Sequence, residues 1–181
     1  MRRATVLLAA VVLAAAAAPA LGHVPEVGGD DETVVDDPSV SRVFYRSVDA
    51  GDHHVYRLRF ASGDDLVVGL QSPRPSETPP SATVTGPGVD AAIDGPTGQA
   101  SYEPFAPDVL YPVDRFRRGV DAGTYTVTVS GEGPYALVVG EAERFTAVEW
   151  VLTGVAVPRT RLWSGRWWLL APGALVAAGA I

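Results

Sequence analysis

The sequence predicts an all-β domain, an antiparallel two-layer sandwich of about eight strands, and three observations predict it. Apolar residues in the middle of the chain recur with a period of two rather than 3.6, the alternating runs are short, and Gly, Pro or Asp bounds each run. A signal helix before it and a membrane helix after it are expected from the two apolar ends of the chain.

Residues 1–22 have the three parts of an export signal: Arg2 and Arg3, an apolar run over 6–18, and small residues suited to a signal peptidase. Ala18-Pro19-Ala20 allows cleavage after Ala20, and Ala20-Leu21-Gly22 allows cleavage after Gly22, which makes His23 the mature N-terminus. Either way the acidic middle of the chain lies outside the cytoplasm. Residues 23–39 read as an acidic leader and residues 40–150 as the sandwich.

Within the sandwich, VSRVFYRSV (40–48), HVYRLRF (54–60) and DLVVGLQS (65–72) follow one another across the turn sequences DAGDH and ASGD. In HVYRLRF, Tyr56, Leu58 and Phe60 alternate with Val55, Arg57 and Arg59, so one face buries and the other meets water. SATVTGPG (81–88) adds a strand that ends in a Gly-Pro-Gly turn. GTYTVTVS (123–130) and PYALVVGE (134–141) read as a hairpin across Gly131-Glu132-Gly133, with Tyr125, Val127 and Val129 sharing a face. Two such sheets packed face to face complete the sandwich. Residues 74–112 are expected to be mostly loop, because prolines at 75, 79, 80, 87, 96, 104, 107 and 112 interrupt the runs there. Tyr102, Phe105 and Tyr111 would pin this connection to the domain.

Residues 151–166 form an Arg- and Trp-rich membrane-proximal segment, and residues 167–181, WWLLAPGALVAAGAI, read as a transmembrane helix. Trp163, Trp167 and Trp168 beside Arg159, Arg161 and Arg166 fit an interfacial belt. The 15 uncharged residues reach only about 22 Å across a hydrocarbon core about 30 Å thick. A short span with Pro172 and Gly173 is best satisfied beside another helix. The arginines precede the span on its outer side, against the positive-inside rule.

Composition removes several function classes. The chain has no Cys, which excludes disulfides, a thiol nucleophile and thiolate metal sites. Residues 23–150 hold 21 acidic residues against nine arginines, a formal charge near minus 12. Phosphate binding needs the opposite sign, so nucleic acid is not an expected partner. No G-x-S-x-G elbow, H-E-x-x-H helix or Walker loop occurs, and Gly86-Pro87-Gly88 lacks the Lys and following helix of a phosphate loop.

The order HHVYRLRFASGDDLVVGLQSP, ATVTGPGVD, AGTYTVTVSGEGPYALVVG resembles bacterial pre-peptidase C-terminal domains and their jelly-roll relatives, including GOLD-like domains, over residues 40–141. A strand followed by a Gly-Asp turn and an apolar strand carries the likeness, together with the closing Ala-Gly-Thr-Tyr and Gly-Pro-Tyr strands. The layout, with DDP near the start and FTAVEW before the Arg-Trp segment, is also similar to exported single-anchor proteins of archaea and bacteria. The resemblance implies a non-catalytic jelly-roll sandwich at the cell surface, used for contact or as an accessory module, and it implies no catalytic residues.

Two metal-binding readings come from the residues themselves. If cleavage follows Gly22, the amine and imidazole of His23 can chelate copper as a histidine brace, with His53 or His54 as third nitrogen donor. A copper-binding or copper-dependent redox protein is therefore the alternative function. Asp30, Asp31, Asp36 and Asp37 supply hard oxygens that can hold calcium where the leader enters the sandwich, without the order of an EF-hand. The reading adopted is a membrane-anchored, extracytoplasmic binding or accessory module. Its expected partners are membrane lipid and another membrane or cell-surface protein.

Overall fold

A computed structural model describes residues 24–103, 108–142 and 159–166. The described residues form an all-β sandwich of two sheets. From edge to edge the first sheet contains β1 (Val24–Val27), β3 (Arg42–Val48), β11 (Gly133–Val139), β5 (Asp64–Ser72), β9 (Asp108–Val120) and β8 (Ser101–Glu103). The second contains β2 (Glu32–Val35), β4 (His53–Phe60), β10 (Gly123–Ser130), β6 (Ser81–Gly86) and β7 (Val89–Ile93). The two orders run in step, so that β1 and β2, β3 and β4, β11 and β10, and β5 and β6 hold corresponding places in opposite layers.

The alternation read in the sequence decides which residues go inside. Tyr56, Leu58 and Phe60 of β4 are buried while Arg57 and Arg59 are exposed, and Tyr125, Val127 and Val129 of β10 are buried likewise. Phe44, Leu66, Val68, Leu70 and Leu137 meet them from the first sheet. Each such side chain contributes roughly 1.5–3 kcal/mol by leaving water. The Phe44 and Tyr56 rings, one from each layer, lie 4.9 Å apart between centroids.

Four features differ from the sequence expectation. Residues 24–35, expected in the leader, supply the edge strands β1 and β2, and these run parallel to β3 and β4, so the sheets are mixed rather than purely antiparallel. At four residues each, they are too short for a period of two to show. The proline-rich stretch carries β7, β8 and the start of β9 besides β6, giving eleven strands among the described residues rather than about eight. Pro112 is accommodated because the β5–β9 register shifts between Leu70 and Gln71, an irregularity where a residue without an N–H does no harm. Third, Gly131-Glu132-Gly133 joins β10 in one sheet to β11 in the other, so it is an arch between layers and not a hairpin. Gly131 and Gly133 both have positive φ, at 112° and 111°.

The fourth difference is at the C-terminal side. A short helix at 159–163 lies against the outer face of the first sheet. Trp163 packs edge-on to Tyr45 at 5.0 Å and donates its indole N–H to the carbonyl of Arg46 at 2.7 Å. Arg166 donates to the carbonyls of Val109 at 2.8 Å and Pro73 at 2.9 Å. Trp163 and Arg166, expected in a headgroup belt, are thus committed to the sandwich. Among the described residues no helix is long and apolar enough to cross a membrane; the expected signal helix and transmembrane helix lie outside the described residues.

Candidate functional site

A polar layer crosses the interior near one end of the sandwich. In β3 the inward positions are Phe44, Arg46 and Val48, so a guanidinium enters the core, and Arg46 is 5% exposed. Tyr135 of β11 is its register partner in the same sheet. His54 and Tyr56 reach in from β4, and Thr33 of β2 lies in register with Tyr56.

Arg46 satisfies its donors on the β1–β2 connection. Its Nε donates to the carbonyl of Gly28 at 3.1 Å, one Nη to the carbonyl of Asp30, and the other Nη to Thr33 Oγ1 at 2.8 Å. The guanidinium also sits 5.1 Å from the Tyr56 ring centroid. Gly29 makes this approach possible, since a Cβ there would lie 2.5 Å from Nη2 of Arg46.

Below it runs a hydrogen-bonded chain. Tyr56 Oη lies 2.7 Å from Tyr135 Oη, Tyr135 Oη lies 2.6 Å from His54 Nδ1, and His54 Nε2 lies 3.5 Å from Asp31 Oδ1. One proton arrangement gives every donor an acceptor: Tyr56 donates to Tyr135, Tyr135 donates to Nδ1, and Nε2–H points to Asp31. Burial raises the pKa of both tyrosines, and for Tyr135 the neighbouring Tyr56 raises it further. Both stay neutral donors. Burial lowers the pKa of His54, and the positive charge of Arg46 adds to that, against the opposing pull of Asp31 and Asp52. The layer therefore holds its protons in place rather than offering a nucleophile.

The sign of the pH response follows. A histidine whose folded pKa lies below its unfolded value near 6.5 binds fewer protons folded than unfolded, so stability rises with pH. The contribution of neutral His54 is present above about pH 6.5 and is lost as the pH falls through its folded value. Between pH 7.5 and 5 the Tm of the wild type falls more steeply than that of His54→Gln, measured in the same buffers. Equal slopes would remove His54 from the pH response.

The structure separates the metal candidates. His54 points inward, while His53 is exposed on the opposite face of β4. His23 lies outside the described residues; Val24, which follows it, is in register with Arg42, four residues from Arg46 and about 13 Å along the strand. Asp31 approaches His54, and its carboxylate is 91% exposed. Asp36 pairs with Arg59 at 3.2 Å, and Asp37 accepts from the Ser39 hydroxyl at 2.6 Å. Asp30 contributes its backbone carbonyl to Arg46. Among the described residues no group of three His, Asp or Glu side chains is arranged to hold a metal ion.

Sequence reasoning missed Arg46, Tyr56 and Tyr135 as a set. Their signal was parity: Arg46 falls in phase with Phe44 and Val48, and Tyr135 with Leu137 and Val139. Polar tips in an inward register require partners.

A second feature lies on the outer face of the first sheet. A groove of about 700 Å³ is lined by Gly69, Gln71, Pro112, Arg115, Val138 and Glu141, among others. Arg115 pairs with Glu141, and Arg117 bridges Glu141 at 2.8 Å and Asp65 at 2.6 Å. Gly69 leaves the β5 backbone open at its floor, with Val138 Cβ 3.7 Å from where a Cβ would stand. Fixed charges of both signs beside open backbone suit a polar polypeptide or a small polar ligand.

No family model matches the chain, and no curated protein matches it. The sandwich is similar to several solved structures. One is PliG of Aeromonas hydrophila, a periplasmic inhibitor of g-type lysozyme, at 15% identity and TM-score 0.40, over 64% of this chain and 97% of that one. Another is the pre-peptidase C-terminal domain of a Bacillus anthracis collagenase, at 13% identity and TM-score 0.40, over 62% and 97%. A third is PliG of Salmonella Typhimurium, at 14% identity and TM-score 0.34, over 60% and 96%. The pre-peptidase C-terminal type that the sequence resembles is thus among its structural neighbours.

Proposed function

We propose that this chain is an exported, membrane-anchored binding module, a non-catalytic sandwich standing on the outer face of the membrane. It offers the groove of its first sheet to a segment of another surface protein. The observation that carries the reading is the docking of residues 159–166 on the sandwich through Trp163 and Arg166. The uncharged run that begins at Trp167 therefore starts at the domain surface with no linker between. The export signal at 1–22 supports the outward orientation, and the open groove with its Asp65–Arg117–Glu141–Arg115 ladder supports binding.

Fractionation tests it. The full chain stays in the membrane pellet through alkaline carbonate, external protease degrades the domain in intact cells, and a chain ending at Arg166 is released into the medium. A full chain recovered from the soluble cytosol would end the proposal. N-terminal sequencing of the mature protein from the same preparation decides the copper alternative, which requires a terminus at His23.

A further inference from the structure

Charge is segregated along this chain. Residues 23–150 carry a formal charge near minus 12, whereas residues 151–181 contain three arginines and no acidic residue. The fold gathers the basic end with one more arginine. Arg74 Nη2 lies 3.1 Å from where a Cβ on Gly165 would stand, so Arg74 joins Arg159, Arg161 and Arg166 at the C-terminal helix. Arg166 contacts the carbonyl of Val109, and Val109 pairs with Tyr102 across β8 and β9. Leu162 is left in water on this side, 62% exposed, whereas Tyr102, 64% exposed, shares the face of Val109, opposite that of Leu110, and so lies away from the helix. Tyr102, expected to pin a loop, does not do so.

In the helix, Thr160, Trp163 and Ser164 turn toward the sandwich, whereas Arg159 and Leu162, three apart, share an outward face. Basic and aliphatic tips on one rim have the composition of a headgroup-level surface, where an alkyl stem sits in the acyl boundary and the cation meets phosphate. An acidic domain held against an anionic bilayer is repelled everywhere except at such a patch. Arg166 also immediately precedes the uncharged run, which puts the patch within a few residues of the expected bilayer entry.

We infer that Arg74 and Arg159, with Leu162, form a lipid-facing surface that seats the sandwich on anionic headgroups in one fixed orientation. This rests on the proposed anchoring. It also gives the arginines on the outer side of the span a role in seating the domain, in place of topogenesis.

The absence of cysteine makes the test clean. Full-length Leu162→Cys and two controls, Tyr102→Cys on the opposite face of the first sheet and Thr83→Cys on the outer face of the second, are each labelled with one fluorophore. They are reconstituted in vesicles containing nitroxide-bearing lipid. In phosphatidylglycerol vesicles the label at 162 is quenched severalfold more than the labels at 102 and 83. The difference collapses in phosphatidylcholine vesicles or when Arg74→Glu and Arg159→Glu are added. Equal quenching at all three positions, in a chain that resists carbonate extraction, overturns the inference and leaves the anchor standing. Strong quenching at 162 alone in a chain that carbonate releases upholds the lipid surface and removes the anchor. A label at 162 shielded from aqueous iodide in detergent, without lipid, would assign the patch to a protein contact and overturn the inference.

Discussion

Arg46→Leu is expected to destabilise the domain by about 3 kcal/mol, although leucine is apolar and fits an inward position. Three acceptors, the carbonyls of Gly28 and Asp30 and the hydroxyl of Thr33, lose a charge-assisted donor together. Each unsatisfied group costs roughly 1–3 kcal/mol when water cannot reach it, and the exposed position of residues 28–30 lets water offset part of that. Lysine at this position falls in between, since one ammonium cannot span three acceptors fixed by a planar fork. Urea unfolding gives the magnitude. Hydrogen exchange gives the location: protection drops first in β1, in β2 and at the amide of Val55, which bonds to the Asp31 carbonyl. A loss below about 1 kcal/mol, with unchanged exchange over residues 24–35, would show that the β1–β2 connection holds without the guanidinium.

Gly140→Ala is expected to cost about 3–5 kcal/mol, unusual for the addition of a single methyl group. Gly140 has φ +76°, where an L-residue already loses roughly 1–2 kcal/mol. A Cβ there would meet the carbonyl oxygens of Pro38, Ser39 and Val40 at 2.6, 2.7 and 2.7 Å. These are main-chain atoms and cannot rotate away. Moving them strains the 2.9 Å bonds from Ser41 N to the Ala142 carbonyl and from Ala142 N to the Ser39 carbonyl, which close the end of β11 onto the entry to β3. Gly88→Ala is the matched control, with φ +68° and nothing within 4 Å, so it isolates the backbone penalty. The steric account fails if the two variants have the same Tm.

Much of the fold was legible because the hydrophobic effect writes a period of two into a strand with one buried face, as in β4 and β10, and a continuous apolar run into one covered on both faces, as in β3, β5 and β11. β9 is also long, but Pro112 and the run Asp114-Arg115-Phe116-Arg117-Arg118 hide it. Charged residues there blunt a strand that β8 covers for only three residues. Turn residues such as Gly131-Glu132-Gly133 announce a reversal, yet they do not say whether the chain returns in the same sheet or crosses to the other. The candidate site was half legible. His54 and Asp31 were singled out as ligands of different metals, and the fold instead brings them within 3.5 Å of each other. Tyr135, 81 positions from His54, is paired with it by sheet order, which local pattern does not encode.

The double use of Arg46 has a mechanical consequence. Its carbonyl receives the indole of Trp163, and its guanidinium grips the connection between the first two strands. Tension entering at Trp163 is handed across a single residue to the connection between β1 and β2, without running down the length of any strand. A pull on one side is felt on the other, and Arg46 is the joint between them.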